Sequence, residues 1–181
     1  MLRHDPMRHR LPLLASAAVL TASLLVPSAA HAYEHQWHAG ANLGYLGGWN
    51  GVGHGFGAGL DLGYGVRDWL DVVASADVSY HPSSKVVNPT FTAGVRFAFD
   101  VLQVVPHVGV LAGVADQAVT SGCVGSCNLA RLDLAIPFGV DYQISRSFTI
   151  GAGGRFQLLL LNGPATPMLG AFARAQYTWG Y

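Results

Sequence analysis

The chain has 181 residues and a formal charge of zero, with 11% charged residues against 51% hydrophobic ones. No basic patch is present, which excludes the usual footprint of a nucleic-acid-binding protein. A soluble surface is ordinarily about 25–35% charged, so this composition describes a protein with little surface facing bulk water.

Arg3, Arg8 and Arg10 give a basic start, Leu11 to Val26 is almost wholly apolar, and Ala30-His31-Ala32 offers a small-x-small cleavage pattern. The pattern predicts a secretory signal over 1–32, leaving 33–181 as one domain. A membrane anchor would need about 20 apolar residues, more than this run supplies. With the signal go Arg3, Arg8, Arg10 and Asp5, and the rest of the chain holds a single Lys (Lys85) and a single Glu (Glu34). Cleavage after Ala32 would also place His35 third from a free amine in Tyr33-Glu34-His35. That spacing can wrap Cu(II) or Ni(II) in a square plane of nitrogens. Nothing else in the sequence calls for a metal or a cofactor.

Beyond the signal, period-two alternation recurs along the whole chain. Strands are predicted near 37–47, 56–66, 69–80, 90–100, 103–113, 128–142, 148–161 and 168–181. In the second, Phe56, Ala58, Leu60, Leu62, Tyr64 and Val66 share one face and Gly57, Gly59, Asp61, Gly63 and Gly65 the other. In the sixth, Leu132, Leu134, Ile136, Phe138 and Val140 oppose Arg131, Asp133, Gly139 and Asp141. Every charge placed within a strand falls opposite the large apolar side chains, and glycines crowd the same polar face. In a lipocalin-like barrel that face would have to meet water with little but Gly and Ala. A membrane barrel inverts the arrangement, with apolar residues toward lipid and charges in the lumen. The expected fold is therefore an all-β, eight-stranded, antiparallel up-and-down transmembrane barrel with a polar, charge-paired lumen. Connections at 67–68, 101–102 and 143–147 are read as short turns, and those at 48–55, 81–89, 114–127 and 162–167 as longer loops. That asymmetry puts both termini in the periplasm of a bacterial outer membrane.

The lumen charges expected to pair are Asp61, Asp77, Arg96, Asp133, Arg155 and Arg174, because an unpaired ion is costly to bury. Arg96, Arg155 and Arg174 are assigned mainly to Asp61, Asp77 or Asp133. Eight strands leave an interior just filled by side chains, which favours a polar plug over a conduction path. Cys123 and Cys127 sit in the longest loop as Cys-Val-Gly-Ser-Cys, and an even cysteine count in a secreted chain predicts a disulfide. A C-x3-C metal site would lack further ligands. His38, His54, His81 and His107 fall near strand ends or loops and are read as solvated or interfacial. Ser75 and Ser79 share the lumen phase, with no histidine evidently beside them for nucleophilic catalysis.

The last run, Ala175-Gln176-Tyr177-Thr178-Trp179-Gly180-Tyr181, alternates aromatic and polar residues up to the end of the sequence. On those residues, together with Gly151-Ala152-Gly153-Gly154-Arg155-Phe156 and Pro106-His107-Val108-Gly109, the chain resembles the small eight-stranded outer-membrane barrels typified by the membrane domain of outer-membrane protein A. The resemblance implies that Tyr177, Trp179 and Tyr181 form the signal read by the barrel-assembly machinery. Members of that family act as tethers, adhesins, narrow pores or lipid-modifying enzymes. The reading adopted is a monomeric, non-enzymatic barrel surrounded by outer-membrane lipid and lipopolysaccharide, serving envelope integrity or surface interaction through its loops. The alternatives are a narrow ion or solute pore and, third, a lipid-modifying enzyme.

Overall fold

The computed structural model describes residues 34–99, 103–119 and 128–180. The predicted signal over 1–32, Cys123, Cys127 and Tyr181 all lie outside them. Eight strands run β1 Trp37–Gly48, β2 Gly53–Arg67, β3 Leu70–His81, β4 Val86–Ala98, β5 Val104–Val119, β6 Asn128–Ser145, β7 Phe148–Leu160 and β8 Thr166–Trp179. Each pairs antiparallel with its sequence neighbour, and β1 pairs with β8 to close the barrel. Closure matters physically: every strand finds two partners, so no row of backbone donors and acceptors is left at an edge.

The alternation read from the sequence becomes inside and outside. Leu60 and Phe56 are 65% exposed on the outer face, as are Phe91 and Val110 to similar extents, whereas Asp71, Asp133 and His38 are fully buried within. Aromatic pairs ring the end that carries the termini: Trp37 with Tyr64, Trp69 with Phe97, and Tyr177 with Trp179, their centroids 5.0–6.0 Å apart. At the opposite, loop-bearing end Tyr45 packs between His54 and Phe56. Such belts at two levels suit side chains with an apolar body at a membrane–water boundary.

The strands outrun their predicted limits at the loop end. β4 begins at Val86 rather than 90, and β5 continues to Val119 rather than 113. The described loops shrink accordingly, to 49–52, 82–85 and 161–165; residues 120–127 lie outside the described ones. Polar residues such as Asn88, Asp116 and Gln117 looked like loop in the sequence. Backbone pairing continues past them regardless, as Asp116↔Ala130 and Gln117↔Leu129 show. Pro89 and Pro137 bring no N–H to their ladders. The register on either side of each is nevertheless unchanged, from Val87↔Ala118 to Thr90↔Ala115 and from Val108↔Phe138 to Leu111↔Ala135.

Candidate functional site: the lumen

The polar face of the strands builds a lumen filled in layers. Nearest the termini, Arg96 donates from Nε and Nη2 to Asp71 Oδ2 at 3.0 and 2.8 Å. His38 Nε2 stands 3.7 Å from the other oxygen of Asp71. Asp71 and Arg96 face each other directly in the β3–β4 register, so this pair is set by strand alignment rather than by reach.

At middle depth Arg174 spans the lumen. Its Nη2 donates to Asp61 Oδ2 at 3.0 Å and its Nη1 to Asp141 Oδ2 at 3.2 Å, and it also contacts Gln176. Asp61 lies on β2 and Asp141 on β6, opposite walls of an eight-stranded ring. His107 Nδ1 lies 3.4 Å from Asp141 Oδ2. Higher, Arg155 of β7 crosses to Asp77 of β3 at 2.6 Å, and Asn42 donates to the second oxygen of Asp77 at 3.2 Å. Arg155 also stacks over the Phe172 ring, 5.2 Å from its centroid. Between these crossings lies a cavity of about 70 Å³ bounded by Asn42, Asp61, Arg96, His107, Asp141 and Arg174, room for a few water molecules.

Glycine makes this possible. Each lumen aspartate has a glycine beside it in the register: Gly40 for Asp61, Gly65 for Asp71, Gly59 for Asp77, Gly113 for Asp133 and Gly151 for Asp141. The arginines share the device, with Gly109 opposite Arg96, Gly170 opposite Arg155 and Gly151 opposite Arg174. A Cβ at Gly40 would stand 2.6 Å from Asp61 Oδ1. At Gly40, Gly59 and Gly151 the carboxylates of Asp61, Asp77 and Asp141 occupy the space a Cβ would take.

Of the six charges named from the sequence, Arg155 meets Asp77 and Arg174 meets Asp61. Arg96 does not join Asp61, Asp77 or Asp133; it meets Asp71, and Asp133 instead accepts Gln157 Nε2 at 2.9 Å. Parity identified which residues face inward but could not supply cross-strand register. Asp71, Asp141 and Gln157 belong to the network and were missed as partners. The histidines also need correction: His38 and His81 are fully buried, and the His107 side chain is nearly so. They sit at strand ends as expected, on the lumen face rather than in solvent. His54 alone of the four stays exposed, against the Tyr45 hydroxyl at 2.6 Å.

A second correction concerns nucleophiles. Ser79 Oγ does have an imidazole beside it, His81 Nε2 at 3.2 Å, because residues two apart share a strand face. Both are buried inside the barrel, away from any lipid or solute on the outer surface. Ser75 bonds Thr92 at 2.8 Å. His35 gives its backbone N–H to Gly65 O at 2.8 Å, and its Nδ1 meets the Tyr64 hydroxyl at 3.2 Å. Tyr33 lies outside the described residues.

Toward the loop end an apolar cluster crosses the lumen among buried polar side chains such as Ser79, His81, Thr90 and Gln157. Leu46 of β1, Ala115 of β5, Leu159 of β7 and Met168 of β8 form one buried cluster, with Val52 and Phe172 packed against it. Above it Arg131 of β6 reaches over to the β7–β8 connection. It donates to the carbonyls of Leu159, Leu161 and Pro164 and to Thr166 Oγ1 and Gln117 Oε1, at 2.5–3.3 Å. The sequence reading had placed large apolar residues only on the outer face; the leucine run 158–161 hides the alternation that puts Leu159 inside.

No protein-family profile matches the chain, and no curated relative does. Solved structures do. Neisserial surface protein A (NspA) superposes with a TM-score of 0.67 at 18% identity, covering 80% of this chain and 97% of that one. The N-terminal β-barrel domain of Pseudomonas aeruginosa OprF gives 0.60 at 17%, covering 81% and 98%. The outer-membrane protein OprG of the same organism gives 0.60 at 10%, covering 82% and 98%. At such identities the likeness is one of architecture: the chain has the fold of the small eight-stranded outer-membrane β-barrels.

Proposed function

We propose that this chain is a non-enzymatic outer-membrane barrel of a bacterium, whose contribution lies in the barrel as an envelope component and in what its loops present. The observation that carries this reading is the inversion of faces on all eight strands. Leucine, phenylalanine and valine cover the outside, and arginine–aspartate bridges fill the inside. A charged side chain on the lipid face at mid-depth would cost about 2–4 kcal/mol, and no strand face needs to bear that cost here. The barrel inserts as a monomer among outer-membrane lipid and lipopolysaccharide, with both termini periplasmic and residues 1–32 removed on export. Tyr177 and Trp179 stand on the outer face; with Tyr181 they serve the barrel-assembly machinery.

Surface interaction would fall to segment 120–127, since the other three connections at that end are short. Cys123 and Cys127 close it with a disulfide, which mass spectrometry of membrane-isolated protein should show. Reduction of so small a ring is expected to cost at most about 3 kcal/mol and to leave the barrel folded. Two free thiols would refute the bond.

Fractionation of cells expressing the full chain tests the main reading. The expected result is a heat-modifiable species in the outer membrane lacking residues 1–32; folded protein soluble in the periplasm would overturn it. Deleting Tyr181 should reduce assembled barrel, and normal amounts would remove its assigned role. The pore alternative has less support, because side chains from opposite walls meet across the lumen.

A further inference from the structure

Leu46 and Ala115 belong to one buried cluster although β1 and β5 stand on opposite sides of the ring. The lumen is thus crossed by hydrocarbon at that level. Leu159 and Met168 are fully buried in the same layer. Glycines let Leu46 lie across: a Cβ would stand 2.6 Å from its Cδ1 at Gly57 and 3.1 Å from its Cγ at Gly170. Beneath this layer the lumen holds the arginine–aspartate bridges and the 70 Å³ cavity, beside a second apolar cluster of Val73, Leu111 and Ala135. The ionic crossings differ in kind from the apolar one. An arginine bridge beside such a cavity can exchange its carboxylate for water, and an ion passing it meets polar partners. At the apolar layer the register sets Asp133 beside Leu159, Thr90 beside Ala115 and Gln157 beside Met168. The span from Leu46 across to Ala115 is nevertheless hydrocarbon, and hydrocarbon filling a passage excludes ions by dewetting.

The segment above the layer is also under tension. Leu161 and Asn162 have φ of +62° and +51°, a region that a branched side chain such as leucine rarely occupies. Two contacts hold that turn: the Arg131 guanidinium on its Leu161 and Pro164 carbonyls, with Leu159 O of β7 as a third acceptor, and Asn162 Nδ2 on Ala130 O at 2.6 Å. Arg131 is itself buried.

We propose that Leu46, Leu159 and Met168 form a hydrophobic seal that closes the lumen to ions, and that Arg131 keeps it shut by clamping the 161–166 segment over it. The seal, and not the arginine–aspartate bridges below it, is the barrier. Behind the seal the lumen carries Asp61, Asp71, Asp77 and Asp141 against Arg96, Arg155 and Arg174, with Asp133 beside Leu159 at the level of the seal itself, so a path opened through it selects cations.

This inference rests on the membrane reading, and the experiment separates the two. The full chain and its variants are reconstituted in liposomes, insertion is scored by protease protection and heat modifiability, and conductance is then measured in planar bilayers. Failure of the parent protein to insert would count against the membrane reading. Inserted parent protein should stay at the bilayer baseline. Leu159→Ser/Met168→Ser should give a steady, cation-selective conductance, and Arg131→Gln brief openings of the same selectivity. Should the double variant not insert, Leu46→Ala carries the same expectation. An inserted seal variant that stays silent overturns the proposal. So does a parent protein that conducts steadily, or Arg155→Ala or Arg174→Ala conducting with the seal intact.

Discussion

In the middle of the lumen the opposite walls are joined by Arg174 and Arg155 reaching aspartates across the barrel, whereas near the loop end they are joined by Leu46, Leu159 and Met168. The two regions solve one steric problem, an interior too narrow to be empty, with opposite chemistries. In the ionic region each group's burial is tolerable only while its partner is present. In the apolar region each side chain is stable by itself and loses only contacts when a neighbour is shortened. Single substitutions should therefore do most damage in the ionic half and should be partly rescued there by removing the partner. No such rescue is expected in the apolar layer.

The largest effect is expected at Arg96. Arg96→Ala leaves Asp71, fully buried, with no arginine. Breaking a buried pair from one side costs about 3–5 kcal/mol. Urea unfolding followed by loss of heat modifiability measures it, with Lys85→Ala on an exposed turn as the reference, at less than about 1 kcal/mol. Arg96→Met with Asp71→Leu should recover much of the loss. Equal cost for single and double variants would remove the distinction between the two regions.

Next comes Leu159→Ala. A fully buried leucine truncated in a packed layer costs about 2–4 kcal/mol through lost transfer energy and the cavity left behind. Combining it with Met168→Ala should cost at least as much again, the opposite sign of coupling from the ionic pair. A double variant as stable as either single one would mean the layer is loosely packed and no barrier.

Third in size is Gly151→Val. Gly151 lies between Asp141 and Arg174 in the two registers, and a Cβ there would meet the Asp141 carboxylate and stand 2.8 Å from Val140 O. Backbone cannot retreat cheaply, so overpacking of about 1–3 kcal/mol is expected. Gly163→Ala meets nothing nearer than 3.7 Å and should be neutral in the same assay.

These glycines show how far the sequence could be read. Alternation at Phe56–Val66 and Leu132–Val140 was enough for strand count, closure and facing, because a one-residue slip would turn every leucine inward and every aspartate outward. The identity of ion partners was not legible. Arg96 takes Asp71 because the β3–β4 register sets them opposite, and register depends on the turn at the far end of the hairpin rather than on parity. The apolar seal was hidden for another reason. Leu159 lies in a run of four leucines, and Leu46 and Met168 sit next to strand ends, where no alternation frames them. The burial of His38 and His81 was missed because histidine at a strand end is ordinarily wet; here the lumen stays closed to that depth.

The smallest effect expected is at Ser75. Its hydroxyl meets Thr92 Oγ1 at 2.8 Å, both side chains are buried, and the two residues are directly paired between β3 and β4. Both groups are neutral, so Ser75→Ala removes one hydrogen bond and leaves one hydroxyl to find a partner, a cost of about 1 kcal/mol. The pair lies on the same two strands as Asp71 and Arg96, four residues along β3 from Asp71 and four along β4 from Arg96. Strands and direct pairing are therefore matched between the two substitutions, which stand about 13 Å apart along the strands, and charge is the main chemical variable left. If Ser75→Ala proved as damaging as Arg96→Ala, the β3–β4 seam itself would be the fragile element, and the larger loss at Arg96 could not be credited to a stranded carboxylate. A several-fold difference between them would locate the cost in the buried charge, which is what distinguishes the ionic layers of the lumen from the apolar one.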